Sequence, residues 1–309
     1  MNGALLRTRP VIIQPPRQPA RVDLPIDSMI RSPSSRPGGP SRPLVAAIAA
    51  LALAAVAALA VAPAQSNVLV RMLHRTASSH PNALWHLVHD MCVPDMQAGG
   101  NPQPCAAVNL SGGYAVIKDV RGTTHYLLVP TARITGIESP DLLQPGSPNY
   151  FEAAWGERSL FEKSAGHPVP REEVGLAVNS IYGRSQNQLH IHIDCVQPAV
   201  QAALAERQAE IGPRWTHLSF SLMGHRYQAR WIDGQDLGAN DPFKLLARAD
   251  PAARVDMGRE TLVLIGASRR GAPGFIALAD RAGPDNIGHG EELLDHRCAV
   301  LNEASAASR

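Results

Sequence analysis

The chain has 309 residues, 45% of them hydrophobic, with 29 Lys and Arg against 27 Asp and Glu for a formal net charge of +2. That length holds one large domain or two small ones with tails, and the apolar content supports a real core. Residues 1–43 carry seven of the arginines and only two acids, so the remainder keeps 22 bases and 25 acids, which excludes the basic face that a nucleic-acid partner requires.

Residues 1–43 also contain nine prolines. A segment so poor in apolar side chains cannot offset the entropy of ordering and reads as a disordered cytoplasmic tail. Residues 44–62 follow, nineteen positions drawn only from Ala, Val, Leu and Ile, eleven of them Ala. A run that long and uncharged reads as one membrane-spanning helix. The stretch Ala62-Pro63-Ala64 at its end resembles a small-residue cleavage site, so 44–64 is either an anchor or a signal. The arginines before it hold the N-terminus in the cytoplasm and send residues 65–309 across the membrane. All four cysteines, Cys92, Cys105, Cys195 and Cys298, lie beyond the run. An even number in an exported domain implies two disulfides with three possible pairings. One of them joins Cys92 to Cys105 locally and leaves Cys195 for Cys298.

The spacing predicts a helix over 79–91, capped by Ser79, with Leu84, Leu87, Val88 and Met91 on one side, then a loop to Cys105. Residues 113–134 read as a hairpin turning at "DVRGTT". Residues 148–166 form a helix ending at Gly166, 174–180 and 188–196 two strands, and 198–211 a helix beginning at a proline. A strand at 226–232, a helix at 241–249 and strands at 260–267 and 274–280 complete the order. Hairpins alternating with helices favour an α+β domain with an antiparallel sheet. Trp155, Trp215 and Trp231 are expected in the core, and His125, His225 and His296 as surface or structural residues. No glycine-rich phosphate loop occurs.

The stretch "QNQLHIHIDCV" (186–196) carries the chemistry. In a strand, side chains alternate faces, so Gln188, His190, His192 and Asp194 share one side and Leu189, Ile191, Ile193 and Cys195 the other. The apolar side is expected in the core and the polar side outside it. Two imidazoles on one face suit nucleophilic attack on phosphorus by one and assistance by its neighbour about 7 Å along. A competing reading is zinc held by His190, His192 and Asp194, because "HIHID" resembles the HxHxDH element of metallo-β-lactamase-type hydrolases. Cys195 then stands where that element's last histidine belongs, on the wrong face.

The segment "NSIYGRSQNQLHIHID" resembles the histidine-triad superfamily, whose signature is His-φ-His-φ-His after an Asn and a Gly/Ser turn. With "GYAVIKD", "YLLVPTARITGIESPDLL", "PNYFEAAW", "LAVNS", "GHRYQAR" and "DHRC", the chain resembles the CDP-diacylglycerol diphosphatase family over roughly residues 80–300. That resemblance implies a histidine-triad-like antiparallel sheet with packed helices behind one transmembrane helix. It implies a hydrolase at the inner membrane, facing the periplasm, that cleaves CDP-diacylglycerol to CMP and phosphatidate with no metal or other cofactor.

The triad's middle histidine, its nucleophile, falls on His190 and the third on His192; the first is replaced by Gln188, whose amide can share an orienting task. Asn179 and Ser185 are expected to hold phosphoryl oxygens. Arg184 would neutralise diphosphate charge or be a solvated turn residue. Asp119 would bind ribose or cap a turn, and Lys118 would meet phosphate or solvent. A broader nucleotide diphosphatase or nucleotidyl transferase, and a nucleotide-binding module without turnover, remain as alternative readings.

Overall fold

A computed structural model describes residues 80–299 of the chain. The tail 1–43 and the apolar run with its anchor-or-signal reading lie outside the described residues. Among the described residues no helix is long and apolar enough to cross a membrane.

Ten strands make one antiparallel sheet. In chain order they are β1 (Ala107–Asn109), β2 (Tyr114–Lys118), β3 (Tyr126–Pro130), β4 (Val174–Val178), β5 (Ile191–Val196), β6 (Thr216–His217), β7 (Gln228–Asp233), β8 (Glu260–Arg269), β9 (Ala272–Arg281) and β10 (Leu294–Asp295). The order across the sheet is β1-β2-β3-β5-β4-β8-β9-β7-β6. β5 is central, flanked on one side by β4 and on the other by β3 at Ile191–Ile193 and by β10 at Cys195–Val196. The α+β reading and the strand–helix order of the sequence hold. The expected loop after residue 91 does not. A π turn at Val88–Cys92 carries the helix Ala83–Leu87 on into a second helical segment, Val93–Gly99. The wide turn leaves Pro94 in the first turn of a new segment, where its missing N–H costs little.

The two faces of the sheet differ. On the first, Leu189, Ile191, Ile193 and Cys195 join Leu176, Leu264, Leu128 and Phe275 in one continuous core under the helices Tyr150–Gly156, Arg158–Ala165 and Pro242–Ala249. Phe151, Trp155, Phe161 and Phe243 from those helices are fully buried in it. On the second face the apolar packing is split in two. One cluster sets the helices before β1 against Ile117, Leu127 and Val129; the other sets the helix Pro198–Arg207 against Ala177, Val263 and Leu278. His192 stands opposite Leu127 of the first cluster and Ala177 of the second. The polar row of β5 therefore runs along the seam between two apolar packings.

Two disulfides form, Cys92–Cys105 and Cys195–Cys298, with Cα atoms 5.8 and 5.2 Å apart. The second fixes the C-terminal segment across β5: β10 pairs beside it, His296 lies on its polar face and Cys298 on its apolar face. The sequence separations are 13 and 103 residues. A chain-entropy estimate then gives about 3 kcal/mol for the short loop and about 4.7 kcal/mol for the long one. Denaturant unfolding of Cys195→Ala/Cys298→Ala and Cys92→Ala/Cys105→Ala is expected to show the larger loss for the 195–298 pair. Equal losses would mean that loop closure is not what these bonds contribute.

Candidate functional site

The site begins with Gln188, which is fully buried. Its Nε2 donates to the carbonyls of Pro130 (3.0 Å) and Ala132 (2.8 Å), and its Oε1 accepts from Arg133 at 3.5 Å. The side chain thus pins the loop leaving β3, while the backbone carbonyl does something else. His190, one residue before β5, places its Nδ1 2.7 Å from the Gln188 carbonyl oxygen. A carbonyl only accepts, so Nδ1 carries the hydrogen and Nε2 keeps its lone pair. Burial lowers the His190 pKa, with the Gln188 bond opposing, so the imidazole is neutral at pH 7. The orienting group at position 188 is therefore the backbone carbonyl, which any residue supplies, and the amide side chain serves the loop.

His190 lines a small cleft with Gly136, Ile137, Val178, Asn179, Arg184, Gln188 and Leu189. Arg184 donates through Nη2 to Glu138 Oε1 at 2.8 Å and through Nη1 to Oε2. Gly136 permits this approach, since a Cβ there would overlap the guanidinium.

The polar row was expected outside the core, and it is buried instead: His190, His192 and Asp194 are sealed along with Gln188. The reason is the cover supplied by the β2–β3 turn and the C-terminal segment, which brings matching polar groups. His192 Nδ1 meets His125 Nε2 at 2.9 Å, and His192 Nε2 lies 3.3 Å from Glu291 Oε2 without making a hydrogen bond. Glu291 accepts from Asn179 Nδ2 at 3.2 Å and faces Arg121, His289 and His296 at 2.9–3.3 Å. Although burial opposes ionisation, His192 and the other donors around the carboxylate hold its pKa far below the ordinary range.

His296 bridges two acids, with Nδ1 2.8 Å from Asp194 Oδ2 and Nε2 3.0 Å from Glu291 Oε1. Those bonds raise its pKa to about 9. Desolvation lowers His192 to about 3 and His125 well below 6.5. His125 stacks between the other two rings, with centroids 5.1 Å from His192 and 4.3 Å from His296. The cluster is thus one cation, His296, between two carboxylates, beside two neutral imidazoles. An ionised carboxylate facing Nε2 of His192 places the hydrogen there, so Nδ1 accepts from His125 Nε2–H.

Of the residues singled out in the sequence, Gln188, His190, Asn179 and Arg184 come together around the cleft, and His192 packs against His190 with centroids 5.0 Å apart. Asn179 also binds Glu291 through its Oδ1, which accepts from the Glu291 backbone N–H. Ser185 is exposed and does not line the cleft. Lys118 turns inward to the carbonyls of Asp119 (2.8 Å) and Gly122 (3.1 Å). Asp119 caps the turn by accepting from Arg121 N at 2.7 Å and lies 3.8 Å from His125 Nδ1.

Asp194 does not join His190 and His192 as a ligand set. Its oxygens take Thr124 Oγ1 (2.7 Å), Cys195 N (2.9 Å) and His296. Among the described residues, the group with cation-ligand spacing is His125, Glu291 and His296, whose donor atoms lie within 4.8 Å of one another. Arg121 occupies the same carboxylate and both His296 nitrogens are bonded, while His125 Nδ1 is buried without a hydrogen-bond partner. His125 and His296, read as surface or structural, belong to the site, as do Glu291 and Arg121. Periodicity could not find them, because they stand in a turn and a C-terminal segment; "DHRC" was the only signal.

Over residues 79–302 the chain matches a family model described as CDP-diacylglycerol pyrophosphatase. It is 41% identical over 232 residues to the CDP-diacylglycerol pyrophosphatase of Yersinia pestis, covering 74% of this chain and 89% of that relative.

The raised pKa of His296 sets a sign for stability. A group held at about 9 when folded and near 6.5 when unfolded stabilises fully below pH 6.5, and the contribution fades as pH rises through 9. The groups facing it are Asp194, Glu291 and the neutral His125, with Arg121 on the same Glu291 oxygen, Oε1. Thermal melts of wild type and His296→Gln are expected to differ most near pH 6 and to converge above pH 9. A gap that does not change with pH would show that the bridge is not cationic.

Proposed function

The chain belongs to the CDP-diacylglycerol pyrophosphatase family, and on that footing we propose that it is a hydrolase that splits the diphosphate of CDP-diacylglycerol, with His190 as nucleophile in a histidine-triad-like site. The observation that carries the assignment is the 2.7 Å bond from His190 Nδ1 to the Gln188 carbonyl. It fixes the tautomer in which Nε2 is the free nitrogen of a neutral imidazole lining the cleft. In the first step Nε2 bonds to the phosphorus of the CMP moiety, and the bridging P–O bond breaks with its electron pair leaving on phosphatidate. The imidazole becomes cationic while joined to phosphorus, and the Gln188 carbonyl is placed to stabilise its Nδ1–H. In the second step water adds to phosphorus, the P–N bond breaks, its electron pair returns to Nε2, and CMP leaves with a proton released.

His192, neutral at pH 7 and packed against the His190 ring, positions the nucleophile in this reading and is not a cationic acid. None is needed, because a phosphate monoester with a second pKa near 6 leaves readily as an anion. Asn179 and Arg184 are the groups at hand for the remaining phosphoryl oxygens. Gln188 acts through its backbone, so the missing first histidine of the triad does not disarm the nucleophile. We place the domain on the periplasmic side of the inner membrane, tethered by residues 44–64; its two disulfides fit an oxidising compartment.

His190→Ala is expected to lower CMP release from CDP-diacylglycerol by about 10⁴-fold or more, the scale of losing a covalent nucleophile. Mass spectrometry after brief mixing of wild type with substrate is expected to find a CMP adduct on the peptide containing residues 188–196. The acid limb of kcat/KM is expected below pH 6.5, because burial disfavours protonated His190. Near-normal turnover by His190→Ala, or an adduct elsewhere, would remove the assignment.

A further inference from the structure

Beside the cleft, three large apolar side chains are left in water: Ile181 at 43% exposure, Tyr182 at 61% and Ile287 at 56%. They come from two loops held in register. Ser180 N donates to Gly288 O at 2.9 Å, Ser180 Oγ to Ile287 O, and Ile181 N to Gly258 O at 2.8 Å. Gly183 lets the loops approach, since a Cβ there would stand 2.8 Å from Gly288 O. The lip is continuous with the cleft. Asn179 lines the cleft two positions before Ile181, and Arg184 lines it two positions after Tyr182.

A second observation comes from the start of the described chain. Pro81 O accepts from Asn187 N at 2.5 Å and His80 O from Gln186 Nε2 at 3.1 Å. Seventeen residues separate the apolar run 44–62 from His80. The chain therefore enters the described domain at the 180–187 turn, which carries Ile181 and Tyr182. Apolar side chains fixed in water at the mouth of a site, with a tyrosine among them, are what a lipid boundary stabilises.

We propose that Ile181, Tyr182 and Ile287 form a membrane-docking lip that seats the cleft on the bilayer, so that a diacyl lipid presents its headgroup without leaving the acyl layer. This rests on the proposed lipid diphosphate substrate and adds to it the surface by which that substrate is reached.

The test uses full-length protein reconstituted in phosphatidylcholine vesicles. Ile181→Ser/Tyr182→Ser is compared with wild type and with Met223→Ser, an exposed apolar position that does not line the cleft. Each is assayed on CDP-diacylglycerol in the vesicles and on soluble CDP-glycerol, which has the headgroup and no acyl chains. The double variant is expected to lose about tenfold in kcat/KM on the vesicle substrate, the order set by one apolar side chain at a lipid boundary, with its soluble rate within about twofold of wild type. Met223→Ser is expected to match wild type on both. Equal losses on both substrates would make the lip part of the fold or the cleft and overturn the inference. No loss on either would overturn it too, as would a change of oligomeric state with vesicle turnover retained, which would mark the lip as a contact between copies. Wild type that hydrolyses CDP-glycerol but not CDP-diacylglycerol would fell the lipid-substrate reading itself, and the lip with it.

Discussion

Burying a row of polar side chains in the middle strand of a sheet is the constraint on which this structure turns. Each sealed donor or acceptor without a partner costs about 1–3 kcal/mol, so His192 and Asp194 are tolerable on β5 only because other elements bring matched groups to them. Thr124 and His125 arrive from the turn before β3, Arg121 from the same turn, and Glu291 and His296 from the C-terminal segment. The apolar packing of that face yields to the row, dividing into two clusters on either side of it. Cys195–Cys298 then has an intelligible place. It holds the segment that carries Glu291 and His296 to the very strand whose polar face they complete.

The electrostatics follow from that cover. A sealed site favours neutral imidazoles, and His125 and His192 obey. His296 departs from the pattern because two carboxylates flank it, and it remains a cation within a half-buried bridge. The proton is therefore stored beyond two intervening rings from His190, leaving the proposed nucleophile neutral. Neutrality and a fixed tautomer are the two properties nitrogen needs to attack phosphorus, and different parts of the fold provide them: burial supplies the first, the Gln188 carbonyl the second.

Much of this was legible in the sequence. Period-two alternation gave β5 its two faces, the helical pattern pointed to 148–166, which the structure divides at Glu157 into two helices, and to 241–249, and the histidine pair with its preceding Asn and turn marked the candidate site. What failed to show was what covers the polar face. A strand's pattern says which residues share a side, and nothing about what is packed upon it; polar-out is the usual outcome for an antiparallel sheet, and the long-range return of residues 289–298 reverses it. The same blindness hid His125 and Glu291, which have no periodicity to announce them. Position 188 shows a subtler limit. A sequence lists side chains, so replacement of a histidine by glutamine looks like a loss, whereas the bond that orients His190 comes from the backbone and survives the change.

The geometry of the corner links these pieces. The turn 180–187 carries the exposed apolar lip on its outer side, sends Arg184 into the cleft, and receives the incoming chain at Gln186 and Asn187. The strand that begins four residues later carries His192 and Asp194 of the polar row, and Asn179, just before the turn, reaches Glu291 in the covering segment. A substrate whose headgroup is polar and whose tail cannot leave an apolar phase requires these features side by side. Attack on its diphosphate must occur in a sealed polar site, yet that site must open within a bond or two of the lipid boundary. On the proposed function, a fold that buries its polar row behind a covering segment and lines its cleft from a turn with an apolar rim meets both demands with one loop.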